Sequence, residues 1–179
     1  MGGDDTKTGG GSGYTPASYG VSVKGASPPG AVHTAYTILG LPMNATHGGQ
    51  VPPKELFANN PEWFWPRNGA YGQLCWANSS LLKFVAAQAI KYLRAQPQAN
   101  LLSVSQNDNA HYCNDSFEQK IIAAEGSAMG PLLRAVNFVA DAVKNEFPQR
   151  SIVITTLAYD YGRKAPSITK PRENVAIQV

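Results

Sequence analysis

A chain of 179 residues with 43% hydrophobic and 15% charged side chains has the size and composition of one globular domain. The net charge is only +3, and Lys and Arg are spread along the chain with no basic run interleaved by aromatics, which argues against nucleic-acid binding. No apolar stretch approaches the roughly 18 residues of a membrane helix, and the polar, Gly-rich start carries no signal-peptide pattern.

Residues 1–30 read as a flexible, disordered leader. Gly2, Gly3, Gly9, Gly10, Gly11 and Gly13 stand among Ser and Thr, and Pro28, Pro29 and Gly30 close the segment. So few apolar groups cannot offset the entropy of ordering. Within it, the alternation around Val21 and Val23 predicts one short edge strand. Residues 31–179 form the domain. A first strand is expected over 32–39, ended by Gly40, Leu41 and Pro42. Residues 41–73 then read as a long loop with five prolines, at 42, 52, 53, 61 and 66, and the aromatics Phe57, Trp63, Phe64, Trp65 and Tyr71. A loop of this length is usually functional or separately packed. Its Trp residues suit either a hydrophobic plug over a barrel end or a sugar-stacking platform, and burial is the preferred reading for at least one of Trp63 and Trp65.

A helix is predicted over 79–95, with Leu82, Val85, Ala89, Tyr92 and Leu93 on one face, Asn78 or Ser79 as cap and Pro97 just beyond. A strand follows at 101–105 and turns polar at Gln106, Asn107, Asp108, Asn109 and His111. Ser116 and Gln119 fit a capping box for a short helical turn. A longer helix begins near Ser127, tolerates Pro131 in its first turn, carries a stripe from Met129 to Phe147 and stops at Pro148. Strands at 152–158 and 174–179 complete the chain. Helices of this length between apolar strands imply right-handed crossovers and an α/β fold with a parallel sheet. Four strands cannot close an eight-stranded barrel, so the expectation is a partial (β/α) TIM-like barrel, a piece of a larger parent, rather than a small open sheet.

Cys75 and Cys113 fit no zinc spacing. Two buried or half-buried thiols are the preferred reading, with a single bridge as the alternative. Asn44, Asn78 and Asn114 each head an Asn-x-Ser/Thr triplet, relevant only in a secretory route.

Several segments in this order carry a family resemblance. They are His33 and Thr34; Pro61, Glu62, Trp63 and Phe64; Gln73, Leu74 and Cys75; Ser105 to Asp108; Gly126 to Ala140; and Leu157, Ala158 and Tyr159. In that series the chain resembles the domain-of-unknown-function family 4838 over about residues 30–179. The resemblance implies an architecture like TIM-barrel glycoside hydrolases, α-glucuronidases and β-N-acetylhexosaminidases among them. It also implies longer, often secreted relatives, so that this chain lacks barrel segments of a parent protein. Many relatives carry a Cys-x-Cys-x-x-Cys cluster starting where Cys113 stands; here Asp115 and Glu118 occupy the other two positions, so a three-thiolate site is not expected. A solvated acidic loop is the preferred reading of that pair.

Glycoside hydrolysis uses two carboxyl groups flanking the scissile bond. Asp108 follows the strand at 101–105 and Asp160 the strand at 152–158, so neighbouring parallel strands would bring both to one pocket. Asp108 is the first choice for a catalytic group and Asp160 the second; the competing reading of Asp108 is a loop-capping carboxylate. Asn107, His111, Tyr159, Tyr161 and His33 are candidate substrate-binding residues. Arg163 and Lys164 suit either a uronic acid carboxylate or an exposed basic loop, and Glu125 reads as exposed or helix-starting. No phosphate loop, nucleophile elbow or metal cluster is present in the pattern, so no cofactor is expected. The expected function is a glycoside hydrolase-like domain with a carbohydrate substrate; the alternative is a non-catalytic carbohydrate-binding or interaction domain.

Overall fold

The computed structural model describes residues 33–40 and 52–179 in full and the backbone of Val21–Ser22. The rest of the predicted leader, and residues 41–51 of the predicted loop, lie outside the described residues. The elements are β1 (Val21–Ser22), α1 (Lys54–Asn59), β2 (Phe64–Trp65), β3 (Gln73–Leu74), α2 (Ser79–Ala95), β4 (Leu101–Ser103), α3 (Ser116–Glu125), α4 (Met129–Glu146), β5 (Val153–Leu157) and β6 (Val175–Gln178). Short 3-10 turns precede β2 and follow β5.

The main sheet has the order β1-β4-β5-β6. β4, β5 and β6 are parallel and neighbour one another in chain order, with Ser103 beside Thr155 and Thr155 beside Ala176. The expected parallel pairing of the strands near 101–105 and 152–158 is therefore present. β1 adds an antiparallel edge strand to β4, as the Val21 pattern predicts. The fold class is α/β with a three-stranded parallel portion, and among the described residues the sheet is open rather than a closed barrel.

One face of this sheet carries the core. Leu102, Val104 and Ile154 alternate onto it and meet the buried stripes of α2 and α4. Leu81, Val85, Ala89 and Leu93 come from α2, and Leu132, Val136, Val139 and Val143 from α4. Each fully buried Leu or Val contributes roughly 1.5–3 kcal/mol from removal of apolar surface. Asn78 caps α2, accepting from Ser80 N and Leu81 N at 3.0 and 3.1 Å. α3 ends on Gly126, whose φ of 62° suits glycine and turns the chain into α4.

Several expectations need correction. Residues 33–40 are not a strand but a series of turns, with a helix-like bond from Ile38 N to Thr34 O at 2.8 Å. Thr34 to Leu39 are all buried, so both sides of this segment meet protein and the period-2 reading fails. Thr34 Oγ1 instead donates to Ser103 O at 3.0 Å, tying the turn to β4. The region 52–73 is not a bare loop, because it folds into α1, a 3-10 turn and the β2–β3 pair, with Trp63 and Phe64 buried. α3 is capped by Asp115, whose carboxylate accepts from Glu118 N at 2.8 Å, rather than by Ser116. Cys75 and Cys113 form a disulfide with both residues fully buried, where free thiols were preferred. Glu118 and Glu125 are buried, not solvated, because each has backbone donors that composition cannot reveal.

Candidate functional site

The polar cluster begins where β4 ends. Ser105, Gln106 and Asn107 are buried in spite of their chemistry, so their amides need partners. The segment 71–73 supplies most of them. Gln73 Nε2 donates to the carbonyls of Asn107 and Asn109 at 2.8 and 2.7 Å, and its Oε1 accepts from Asn107 N at 2.9 Å. Asn107 Nδ2 donates to Gly72 O at 2.7 Å, and Asp108 N donates to the Tyr71 hydroxyl at 3.0 Å. A side chain at residue 72 would collide with the Trp65 carbonyl, so glycine is what lets this segment lie flat against its neighbours. Burial pushes the Tyr71 phenol above its usual value.

This clamp presents the exposed carboxylate of Asp108 beside His33. Asp108 Oδ1 lies 3.9 Å from His33 Nε2, while His33 Nδ1 lies 3.2 Å from Gln106 O. A proton on Nδ1 would be donated to that carbonyl, leaving Nε2 turned toward the carboxylate. His33 has φ 54° and Asp160 φ 49°, left-handed values that side-chain-bearing residues rarely adopt. Each stores backbone strain of about 1–3 kcal/mol, His33 in the turn segment that meets Gln106 and Asp160 in the 3-10 turn after β5.

From the end of β5 comes Tyr159, 40% exposed, its ring edge-on to His33 at 5.3 Å. The Arg163 guanidinium stands 5.9 Å from the same ring. Gln106 Nε2 donates to Tyr159 O at 2.9 Å and so joins the two strand ends. Asp160 is exposed and Tyr161 turns the other way, its ring 5.3 Å from Tyr112. The Tyr161 phenol is pushed up first by burial, then by the nearby Glu118 carboxyl. His111 is exposed, its backbone N donating to Asn109 Oδ1 at 3.0 Å. The structure thus brings His33, Asp108 and Tyr159 together beside the buried Asn107, and sets Tyr161 on the Glu118 side with the exposed Asp160 next to it in the chain. Arg163 and Lys164 are exposed. Beside Tyr159, an apolar groove of about 680 Å³ runs along Met129, Gly162, Pro166 and Ile177 to the outer edge of β6.

Behind the cluster, Glu118 accepts from Ala77 N at 2.7 Å, and burial pushes its carboxyl up to about 8. Cys75 Sγ, Cys113 Sγ and a carboxylate oxygen of Asp115 lie within 4.8 Å of one another, but sulfurs bonded to each other offer no thiolate to a metal. Sequence reasoning missed Gln73, Tyr71 and Gly72 as the residues that aim Asp108. Their only signal was the Gln-x-Cys segment, because a side chain that bonds a distant backbone leaves no periodicity.

Fold and site together define an α/β domain whose polar residues gather at the carboxyl ends of parallel strands, the usual site of function in such sheets. The chain belongs to the family described as Domain of unknown function (DUF4838), whose model matches residues 19–179. No curated protein and no solved structure matches the chain.

Proposed function

We propose that this chain is a glycoside hydrolase-like domain acting on glycans, one arc of a (β/α) barrel whose remaining segments belong to a longer parent. The observation that carries the reading is the Asp108–His33 pair, 3.9 Å apart at the carboxyl end of β4 and edged by Tyr159 from the end of β5. A half-exposed carboxylate beside an imidazole suits proton transfer to a glycosidic oxygen, and an exposed tyrosine ring suits the apolar face of a sugar. Asp108 acts as the acid, with Asp160 as the second carboxylate. His33 and the exposed His111 bind hydroxyl groups, while the buried Asn107 and the half-buried Tyr161 hold the strand ends in place.

Hydrolysis of a panel of aryl glycosides and uronides by the purified chain tests this, alongside Asp108→Asn and a version carrying the parent's further segments where these are encoded. Activity that falls by at least about 100-fold in Asp108→Asn supports the assignment. Silence of every form on the whole panel overturns the catalytic reading.

A second reading, a carbohydrate-binding domain without catalysis, draws on the neighbourhoods of the two carboxylates. Asp108 meets His33 and Tyr71, whereas Asp160 acts on Tyr161. On that reading the folded chain retards on glycan-containing native gels, and Tyr159→Ala abolishes the retardation while Asp108→Asn does not.

A further inference from the structure

Among the three Asn-x-Ser/Thr triplets, Asn44 lies outside the described residues, and the other two differ in what the fold asks of them. Asn78 is half-buried and its carboxamide oxygen caps α2. Ser80, the hydroxyl residue of that triplet, accepts from the Trp63 indole at 2.8 Å and also meets Asn78 Oδ1 at 2.8 Å. Asn114 is exposed and directly follows the bridged Cys113, and the capping of α3 falls to Asp115 instead. Two exposed aromatic side chains flank it. Tyr112, two residues before, is 37% exposed, and Phe117, three residues after, is 70% exposed. An aromatic ring face exposed at the surface matches the C–H face of a sugar. Tyr112 is steadied for such a contact by Tyr161. The buried disulfide adds a second, independent pointer, because such bonds form in oxidising compartments, and an exposed triplet of this kind is a glycan acceptor in a secreted protein.

We propose that Asn114 is an N-glycosylation site and that the first sugar of its glycan packs on Tyr112. The donor is a lipid-diphosphate-linked oligosaccharide. Asn114 Nδ2 forms a bond to C1 of the first sugar and loses one proton. The C1–O bond breaks, and the lipid diphosphate leaves with its electron pair. This sugar is a covalent part of the chain rather than its substrate, so the proposal stands apart from the glycan-acting reading.

The test is the full chain secreted from a eukaryotic host, treated with peptide N-glycosidase in heavy-oxygen water and mapped by peptide mass spectrometry. The expected result is labelled Asp at position 114, lost in both Asn114→Gln and Ser116→Ala and kept in Asn78→Gln. Unlabelled Asn114 in the secreted chain overturns the site. For the stacking, removal of the glycan lowers the melting temperature of the parent chain more than that of Tyr112→Ala. An equal drop in the two overturns the contact with Tyr112.

Discussion

At the first turn of α3, Glu118 is 2% exposed and its carboxyl is pushed up to about 8; at the last residue of the same helix, Glu125 is 1% exposed and its carboxyl sits at about 2. Burial pushes both upward, so the difference lies in the donors. Glu118 is met by the backbone N–H groups of Ala77 and Trp76, with Asp115 nearby as a like charge. Glu125 accepts from Arg134 Nε and Nη2 at 3.0 and 2.7 Å, from Ile168 N and Thr169 N at 2.9 and 3.0 Å, and from the Thr169 hydroxyl. The same residue type in the same helix is thus pushed toward its neutral form at one end and held toward its charged form at the other. The two ends are also fastened differently. The disulfide secures the chain leading into α3, whereas the Glu125 carboxylate draws the 168–169 segment onto the helix pair.

Breaking the covalent fastening has the largest expected effect. The bridge spans 38 residues of sequence, so replacing both cysteines by serine is expected to cost about 4 kcal/mol. Urea denaturation of the double variant checks this. Next comes Glu125→Ala, which leaves two part-buried backbone donors and a half-exposed Arg134 without their acceptor; the expected loss is about 2 kcal/mol by the same measurement. The pH dependence has opposite signs at the two ends. Glu125 has a folded value below the usual carboxylate value of 4.5, so its stabilisation is present above pH 4.5 and fades as pH falls through about 2. Glu118 has a folded value above 4.5, so the stability tied to its proton is complete below pH 4.5 and is lost as pH rises through about 8. Glu118→Gln, which keeps an oxygen for Ala77 N, should therefore be more stable than the parent chain at pH 9, by at least about 1 kcal/mol, with the gap closing at pH 5. A gap that does not change with pH would show that Glu118 is ionised in the fold. The smallest effect is expected from Asp115→Ala, about 1 kcal/mol for the loss of a helix cap.

What the sequence made legible follows the reach of each interaction. α2 was readable to its ends, since an Asn cap, an apolar stripe and a following proline are all local signals. The parallel order of β4 and β5 followed from the long helix between them. The turn at 33–40 was not legible, because Thr34 answers to Ser103 and Ser105, about seventy positions away, and Ala35 to Leu39 are buried on both sides of the segment. At the candidate site, Asp108 and Tyr159 could be picked out as polar strand-end residues. The Gln73 clamp, the bridge and the opposed fates of Glu118 and Glu125 depend on segments that meet only in three dimensions.

The parallel order of β4 and β5 also governs the time course of folding. Leu101 cannot find Val153 until α3 and α4 have carried the chain back across the sheet, and Leu102 cannot find Ile154 either. Helical turns form in about a microsecond or less, whereas a ladder between such distant partners waits on closure of the whole intervening loop. The docking of α4 on α2 joins segments about as far apart in sequence as β4 and β5, so both long-range contacts are expected to form late, after the helices themselves. Apolar substitutions on the facing stripes, such as Val136→Ala, should slow folding, while changes in the loop after β5 should chiefly speed unfolding.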